Sequence, residues 1–414
     1  MNLIGEGANA TARKRRILFV GESVSLAHVG RPLALLAGLT PDLYELHFAC
    51  AECYSQFVPK EGVAFHPIFS ISPQAFMAAL AKGKPIYDSF TLQRYIRDDL
   101  ELLEQVKPDV VVGDFRISLA ISARVSNIPY VNIINAHWSR YASDLRFVIP
   151  DHPLVQLFGF RIANFLFSLF RPLAFWLHAG PMNMIRNKYG LTPLHRLQDI
   201  YCDADWVFYA DSQQLVPTKE LPSNHSYIGP IIWAPDVPFP EWWGQLDHGK
   251  PIVYVTLGSS GQVDVLPVVI SAVKSLSIQV LLASAGRFSS KDMPPNVFSC
   301  DYLPGDEVSK IADLVICNGG SATAYQALSC GVPVFGIPSN LDQHLTMGAI
   351  ASAGAGALLR AENVSVDNVM EVVNVLLGDE RFRERAMALK ANIESYDPAT
   401  IFREFLENCL LKNI

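Results

Sequence analysis

The chain has 414 residues, 50% of them hydrophobic and only 18% charged, with a formal net charge of −7. Length and apolar content predict two domains with separate cores and exclude a disordered chain. The acidic balance argues against general nucleic-acid binding, which needs a basic face, and the scattered cysteines argue against a disulfide scaffold. The thiols read as reduced, in a cytoplasmic protein. Cys50 and Cys53 form a lone CxxC with no second CxxC or His pair to complete a site, so burial beside a strand end is the simpler reading.

Residues 1–12 are small and polar and lead through Arg13, Lys14, Arg15 and Arg16 straight into an apolar strand, so no signal peptide is expected. Strands are then predicted at 16–20 and 44–49, with a helix at 32–39 whose early Pro32 is tolerated. An apolar stripe predicts a helix over 92–106. Pro108 ends it and a buried strand follows at 110–112, then a helix at 117–125 and a strand at 130–134. This alternation indicates parallel strands with helical crossovers. Residues 153–177 are the most membrane-like stretch, but Arg161 and Arg171 interrupt it and Pro172 would break a spanning helix. A buried helical pair, or a lid over an apolar site, is therefore expected there, with peripheral membrane contact as the alternative. The proline-rich stretch 227–249 reads as an interdomain linker. The strand–helix rhythm restarts at 252–256, 278–283, 314–317 and 334–337, which predicts a second doubly wound domain and a ligand cleft between the two.

Two strand-to-helix turns in the C-terminal half carry the residue types that a diphosphate needs. The strand at 313–317 ends in Asn318-Gly319-Gly320 and a helix begins at Ser321. Glycines let the backbone approach a ligand closely, free N–H groups at a positive helix end suit an anion, and Ser321 and Thr323 add hydroxyl donors. A Gly-Gly before a helix is also an ordinary tight turn. The stretch VTLGSSG supplies a second such cradle through Gly258, Ser259 and Ser260. Past the next strand, Asp342-Gln343 pairs an acceptor with an amide, as sugar hydroxyls require, although an Asp there also serves as a helix cap. In the N-terminal half His28 follows the first strand. An imidazole there can take a proton near neutral pH, or simply cap a helix. Asp114 ends the buried run VVVGD, where strand-end loops converge, and it either orients that imidazole or caps the helix near Ile117.

Over most of its C-terminal half, and at a few points of the N-terminal half, the sequence resembles the family-one, UDP-glycosyltransferase-like enzymes of the GT-B fold. The family's donor motif matches Asn318, Gly319, Gly320, Ser321, Ala322, Thr323, Gln326 and Asp342-Gln343, with Asn318 in place of the usual His and Gln326 in place of the usual Glu. HVGRPLALLAGL resembles its His-x-x-x-Pro segment. The resemblance implies an α/β GT-B fold, two Rossmann-like doubly wound domains facing across a cleft. Residues 1–230 would bind the acceptor and 231–397 the donor, with a C-terminal helix over 398–414 packing back on the first. It implies that Asn318 and Thr323 contact the diphosphate, Gln326 the ribose, and Asp342 and Gln343 the sugar. Tyr302 would lie against the base, with the Leu303 backbone at its edge.

On the same grounds His28 is the general base and Asp114 its partner in an inverting transfer from a UDP- or dTDP-sugar, the leaving diphosphate being stabilised around Ser259, Asn318 and Thr323. No DxD cluster or metal-spaced His/carboxylate set accompanies the phosphate loops, so the reaction is expected to need no metal and no cofactor beyond the nucleotide-sugar. His137 and Trp138, in the loop 135–141, and the apolar stretch 153–177 fall where family acceptor pockets form. They imply a hydrophobic small-molecule or lipid acceptor, completion of the core being the other reading. Competing expectations are a lipid-linked-sugar transferase resembling the MurG branch, and a non-catalytic GT-B accessory protein, which the substituted Asn318 and Gln326 favour. A sugar-nucleotide epimerase would need a carboxylate set that the sequence does not supply.

Overall fold

In the N-terminal half, short runs such as RRILFVG and VVVGD place alternate side chains on opposite faces of a sheet. Ile17, Phe19, Val110 and Val112 join one core and Leu18, Val20 and Val111 another. A strand buried on both faces needs an unbroken apolar run, which is why these segments lack a polar alternation. The computed structural model describes residues 13–258, 261–288 and 293–410. The first sheet contains β1 (Arg15–Gly21), β2 (Tyr44–Cys50), β3 (Val63–Pro67), β4 (Val110–Asp114), β5 (Tyr130–Ile134), β6 (Trp206–Tyr209) and β7 (His225–Tyr227), in the order β3-β2-β1-β4-β5-β6-β7. The second contains β8 (Ile252–Thr256), β9 (Gln279–Ala283), β10 (Val297–Cys300), β11 (Leu314–Cys317), β12 (Val334–Gly336) and β13 (Gly356–Leu358), in the order β10-β9-β8-β11-β12-β13. Every named pairing is parallel. This is the doubly wound α/β pair of sheets that the strand–helix alternation predicts.

Each sheet reverses its direction of growth once, between β1 and β4 in the first and between β8 and β11 in the second. At such a reversal the loops diverge to either side of the sheet and leave a crevice at the strands' carboxyl ends. The residues after β1, β4, β8 and β11 are therefore the ones that geometry puts beside a ligand.

The chain passes between the halves along the extended residues that follow β7, and returns after the helix Glu380–Ile393. The two passages touch. Gly229, at φ +88°, lies so close under Tyr396 that a Cβ there would come within 2.3 Å of the tyrosine Cβ. The terminal helix Pro398–Phe405 then packs on the first sheet, with Phe402 at 5.8 Å from Phe19 and 6.2 Å from Phe208 between ring centroids. Phe402 is fully buried. Phe402→Ala is expected to cost about 3–5 kcal/mol through lost contacts and the cavity left behind, read as a lower urea midpoint of unfolding.

Two local expectations are corrected. The first helix is Ala27–Ala37, so it starts earlier than predicted: His28 lies in its first turn and Pro32 inside it. The stretch 153–177 belongs to a helical pair, but the pair is not buried and the break falls at Gly159 rather than at Pro172. Two helical segments within Pro153–Lys188 meet at Gly159 (φ 74°, ψ 158°), the second continuing through Pro172 and Pro181, with most of the apolar side chains exposed. The cysteines are unpaired where described. Cys50 is buried and its thiol is pushed up to about 12 by that burial, while Cys53 is exposed.

Candidate functional site

Gly21, the last residue of β1, pairs with Asp114, the last of β4, so the loop after one strand meets the end of the other. His28 sits on the helix that follows β1, and its Nδ1 lies 2.8 Å from Asp114 Oδ1. With the carboxylate as acceptor, Nδ1 carries the proton and Nε2 keeps its lone pair. The His28 ring is stacked on Phe115, at 4.7 Å between centroids and 10° between planes. Phe115 is held at φ +58°, a left-handed conformation costly for a bulky residue. Its neighbour fixes it there. Arg116 is buried, bonded at 3.2 Å to Glu22 and paired at 2.9 Å with Asp99, and it donates to the Phe69 carbonyl at 2.7 Å. Burial alone would lower the Arg116 pKa, but Asp99 and Glu22 outweigh it and hold it above its ordinary value.

The sequence reading missed Arg31. It lies one turn after His28 on the same face of the helix, buried, and it donates to both oxygens of Asp114 at 2.7 Å. Its Nη1 donates to Asn135 Oδ1 at 2.8 Å. A buried arginine requires an acid partner, so an Arg three positions after the candidate His was a usable signal. Asn135 is a node between the halves: it accepts from Ser321 Oγ at 3.3 Å and donates to Asp211 at 3.0 Å.

On the C-terminal side, β8 and β11 are neighbours, and the turns after them face each other. Gly258 (φ +58°) has the Asn318 side chain beside it, at 3.8 Å from the position a Cβ would take. Asn318 Oδ1 accepts from Gly320 N–H at 3.0 Å, a turn-closing role that the Asn in place of His performs within its own loop. Gly319 adopts φ +79°, and a Cβ there would come within 2.5 Å of Met347 Cγ, so only glycine fits. The helix Ser321–Ser329 follows, with Ser321 and Thr323 in its first turn, where backbone N–H groups lack partners within the helix. Ser259 and Ser260 lie outside the described residues. Gln326 is buried, close to Gly305 and with Nε2 3.5 Å from the Trp233 carbonyl. Tyr302 is half-buried and edge-on to Phe57 of the other half at 6.1 Å, and Leu303 is buried.

Three expected contacts are placed differently. Gln343 is buried, and its Oε1 accepts from Ser339 N–H and Asn340 N–H in a capping box that opens the helix Leu341–Ser352. Its carbonyl is therefore spent on shaping the loop rather than offered to a sugar. His137 and Trp138, expected to face an acceptor, instead reach across the cleft to Asp342. His137 Nε2 lies at 2.8 Å and Trp138 Nε1 donates at 2.7 Å, both to Oδ1. His137 is 1% exposed while the Asp342 side chain is 41% exposed, so the carboxylate keeps an accessible side beyond its two donors.

Recession in the cleft raises the Asp342 pKa, but His137 and Trp138 overcome that and hold it at about 2. Burial lowers the His137 pKa, and the hydrogen bond and charge of Asp342 outweigh it, leaving it above the ordinary value. The raised histidine contributes stability that is complete below its unfolded value of about 6.5 and fades as pH rises through the folded one. Asp342 contributes above about pH 4 and loses this as pH falls through about 2. The melting-temperature gap between wild type and His137→Gln is therefore expected to be widest at mildly acidic pH and to shrink as the pH becomes alkaline.

Among the described residues no group of three or more His, Cys, Asp and Glu side chains could hold a metal ion. The arrangement is a base-like dyad at the reversal point of one sheet, opposite a glycine-rich helix start at the reversal point of the other. These features define a GT-B glycosyltransferase. Residues 258–407 match the family model described as "Erythromycin biosynthesis protein CIII-like, C-terminal domain". The chain is 46% identical over 379 residues to a PGL/p-HBAD biosynthesis glycosyltransferase of Mycobacterium tuberculosis (strain H37Rv), covering 91% of this chain and 88% of that protein. It is 45% identical over 379 residues to a PGL/p-HBAD biosynthesis rhamnosyltransferase of Mycobacterium bovis (strain BCG), covering 91% and 84%. Among solved structures, the spinosyn rhamnosyltransferase SpnG in complex with thymidine diphosphate superposes with a TM-score of 0.68 at 18% identity, over 95% of this chain and 100% of that one. The chain belongs to the family-one, UDP-glycosyltransferase-like GT-B glycosyltransferases, and it is an enzyme of the glycosyltransferase class.

Proposed function

We propose that this glycosyltransferase moves a sugar, by inversion and without a metal, from a UDP- or dTDP-sugar to a hydroxyl of a hydrophobic small-molecule or lipid acceptor. The observation that carries this reading is the placement of the His28–Asp114 pair across the cleft from the Asn318–Ser321 turn, the two sides being joined through Asn135. His28 Nε2 takes the proton of the acceptor hydroxyl while Asp114 holds the imidazole in register. The acceptor oxygen then attacks the anomeric carbon, and the bond to the diphosphate oxygen breaks on the opposite face. The charge left on the diphosphate falls at the start of the helix Ser321–Ser329 and near Gly258, Gly319, Gly320, Asn318 and Thr323, where N–H and hydroxyl dipoles are already oriented. Gln326 sits at the ribose end, Tyr302 and Leu303 at the base end, and Asp342 Oδ2 is the group that meets a sugar hydroxyl. Gln343 acts by shaping the loop that presents Asp342.

A relative named a rhamnosyltransferase and a structural neighbour solved with thymidine diphosphate support a dTDP-deoxysugar donor. The test is nucleotide release from a panel of dTDP- and UDP-sugars, with and without hydrophobic aryl or lipid acceptors. Acceptor-dependent release, a product of inverted anomeric configuration and full activity in excess EDTA are expected. Activity lost to EDTA and restored by magnesium or manganese would overturn metal independence. No release with any donor would favour a non-catalytic role.

A further inference from the structure

The helix Pro153–Lys188 turns an apolar stripe the wrong way for a soluble protein. Leu157, Phe165, Leu169, Phe170, Trp176 and Met184 are each more than half exposed, and this kinked helical stretch holds most of the large apolar side chains that stand in solvent among the described residues. An amphipathic helix ordinarily hides such a stripe against the core. Here no residue between Ala163 and Ala179 is buried. The helix is long and apolar enough to span a bilayer, with only 11% of its most apolar window buried.

Both of its ends, however, are tied to the same globular body. At the start, Asp151 N–H donates to the Ser339 carbonyl at 3.0 Å. At the finish, Met182 and Ile185 are buried and Arg186 donates to the Thr192 carbonyl at 2.8 Å. Spanning would drag that body into the hydrocarbon. Charge adds a second constraint. In a chain of net charge −7, the residues from Pro153 to Lys188 include no Asp or Glu but do include Arg161, Arg171 and Lys188, besides Arg186, which is buried against Asp203. The Arg171 guanidinium lies over the Phe147 ring at 4.3 Å. A second copy docked on this face by a two-fold axis would bring like arginines together with no acid in the segment to neutralise them.

We propose that the outward face of the helix Pro153–Lys188 docks on an anionic lipid bilayer, lying in the headgroup plane rather than crossing it. Apolar and aromatic side chains enter the acyl boundary, and Arg161 and Arg171 meet lipid phosphates. The transferase reading rests on His28, Asp114 and the Asn318–Ser321 turn, none of which lies on this helix, so failure of this proposal leaves that reading intact.

The test is co-flotation of the full chain with vesicles of phosphatidylcholine alone, or of phosphatidylcholine mixed with phosphatidylglycerol. Wild type is expected to float with the mixed vesicles. Phe165→Ser/Leu169→Ser/Trp176→Ser should lower that partition by about tenfold or more, and Arg161→Glu should lower it in the mixed vesicles alone. Circular dichroism serves as the control for folding and should match wild type. Wild type remaining with the soluble fraction, or the triple variant floating undiminished, would overturn the proposal. So would a wild-type dimer in sedimentation that the triple variant dissociates without any vesicle binding, since the face would then belong to a second copy.

Discussion

His28→Ala is expected to lower kcat by about 10²–10⁴, the usual worth of a positioned general base, with the KM for the nucleotide-sugar little changed. The split follows from geometry. His28 belongs to the N-terminal half, stacked on Phe115 and bonded to Asp114, whereas the diphosphate turn belongs to the other half. The side chain is partly exposed, so its removal leaves no sealed cavity and no buried charge. The fold should survive, and the loss should fall on proton removal alone. Single-turnover kinetics with saturating donor checks this. Transfer by the variant at the wild-type rate would remove His28 from the mechanism, though the family assignment would stand.

Asp114→Asn should be worse than the loss of one catalytic partner. The carboxylate is fully buried and serves two partners at once, the His28 ring and the Arg31 guanidinium. Burial lowers the Arg31 pKa, and the charge of Asp114 outweighs it and holds it up. An amide in that place leaves a buried arginine without its counter-charge, which costs about 3–5 kcal/mol. It also offers His28 a donor where an acceptor stood, favouring the wrong tautomer, an effect on the order of 10⁴ in rate for comparable triads. The two losses are separable. Adding Arg31→Met to Asp114→Asn removes the stranded charge and should recover most of the urea midpoint while kcat/KM stays low. If the double variant regained activity along with stability, Asp114 would be a structural counter-ion and nothing more.

Much of the fold was legible because parallel strands buried on both faces must be written as continuous apolar runs. β1, β2, β4, β5, β8, β9, β11 and β12 were readable for that reason. β3, β6, β7, β10 and β13 were not. β3 and β7 sit at the rims of the first sheet and β10 and β13 at those of the second, where a strand is not buried on both faces and needs no continuous apolar run, and β6 is a four-residue run with no pattern beyond it. The helix Pro153–Lys188 misled for a different reason: apolar periodicity reports that a face needs covering and says nothing of what covers it. In the site, the chemical types and their strand-end positions could be read, since only the reversal points supply crevices. The partners could not. That Asp342 would be claimed by His137 and Trp138, or Asn135 shared between Arg31 and Ser321, depends on how the halves meet across more than a hundred residues of chain.

The contact of Gly229 with Tyr396 also bears on how this enzyme can open. Two strings that join a pair of bodies at well-separated points would allow them only to swing like a door on its frame. Two that cross at one spot act as a ball joint, and any opening or twisting of the gap has its fulcrum there. A methyl group at residue 229 would then be a wedge in the bearing, at a backbone conformation that already disfavours a side chain.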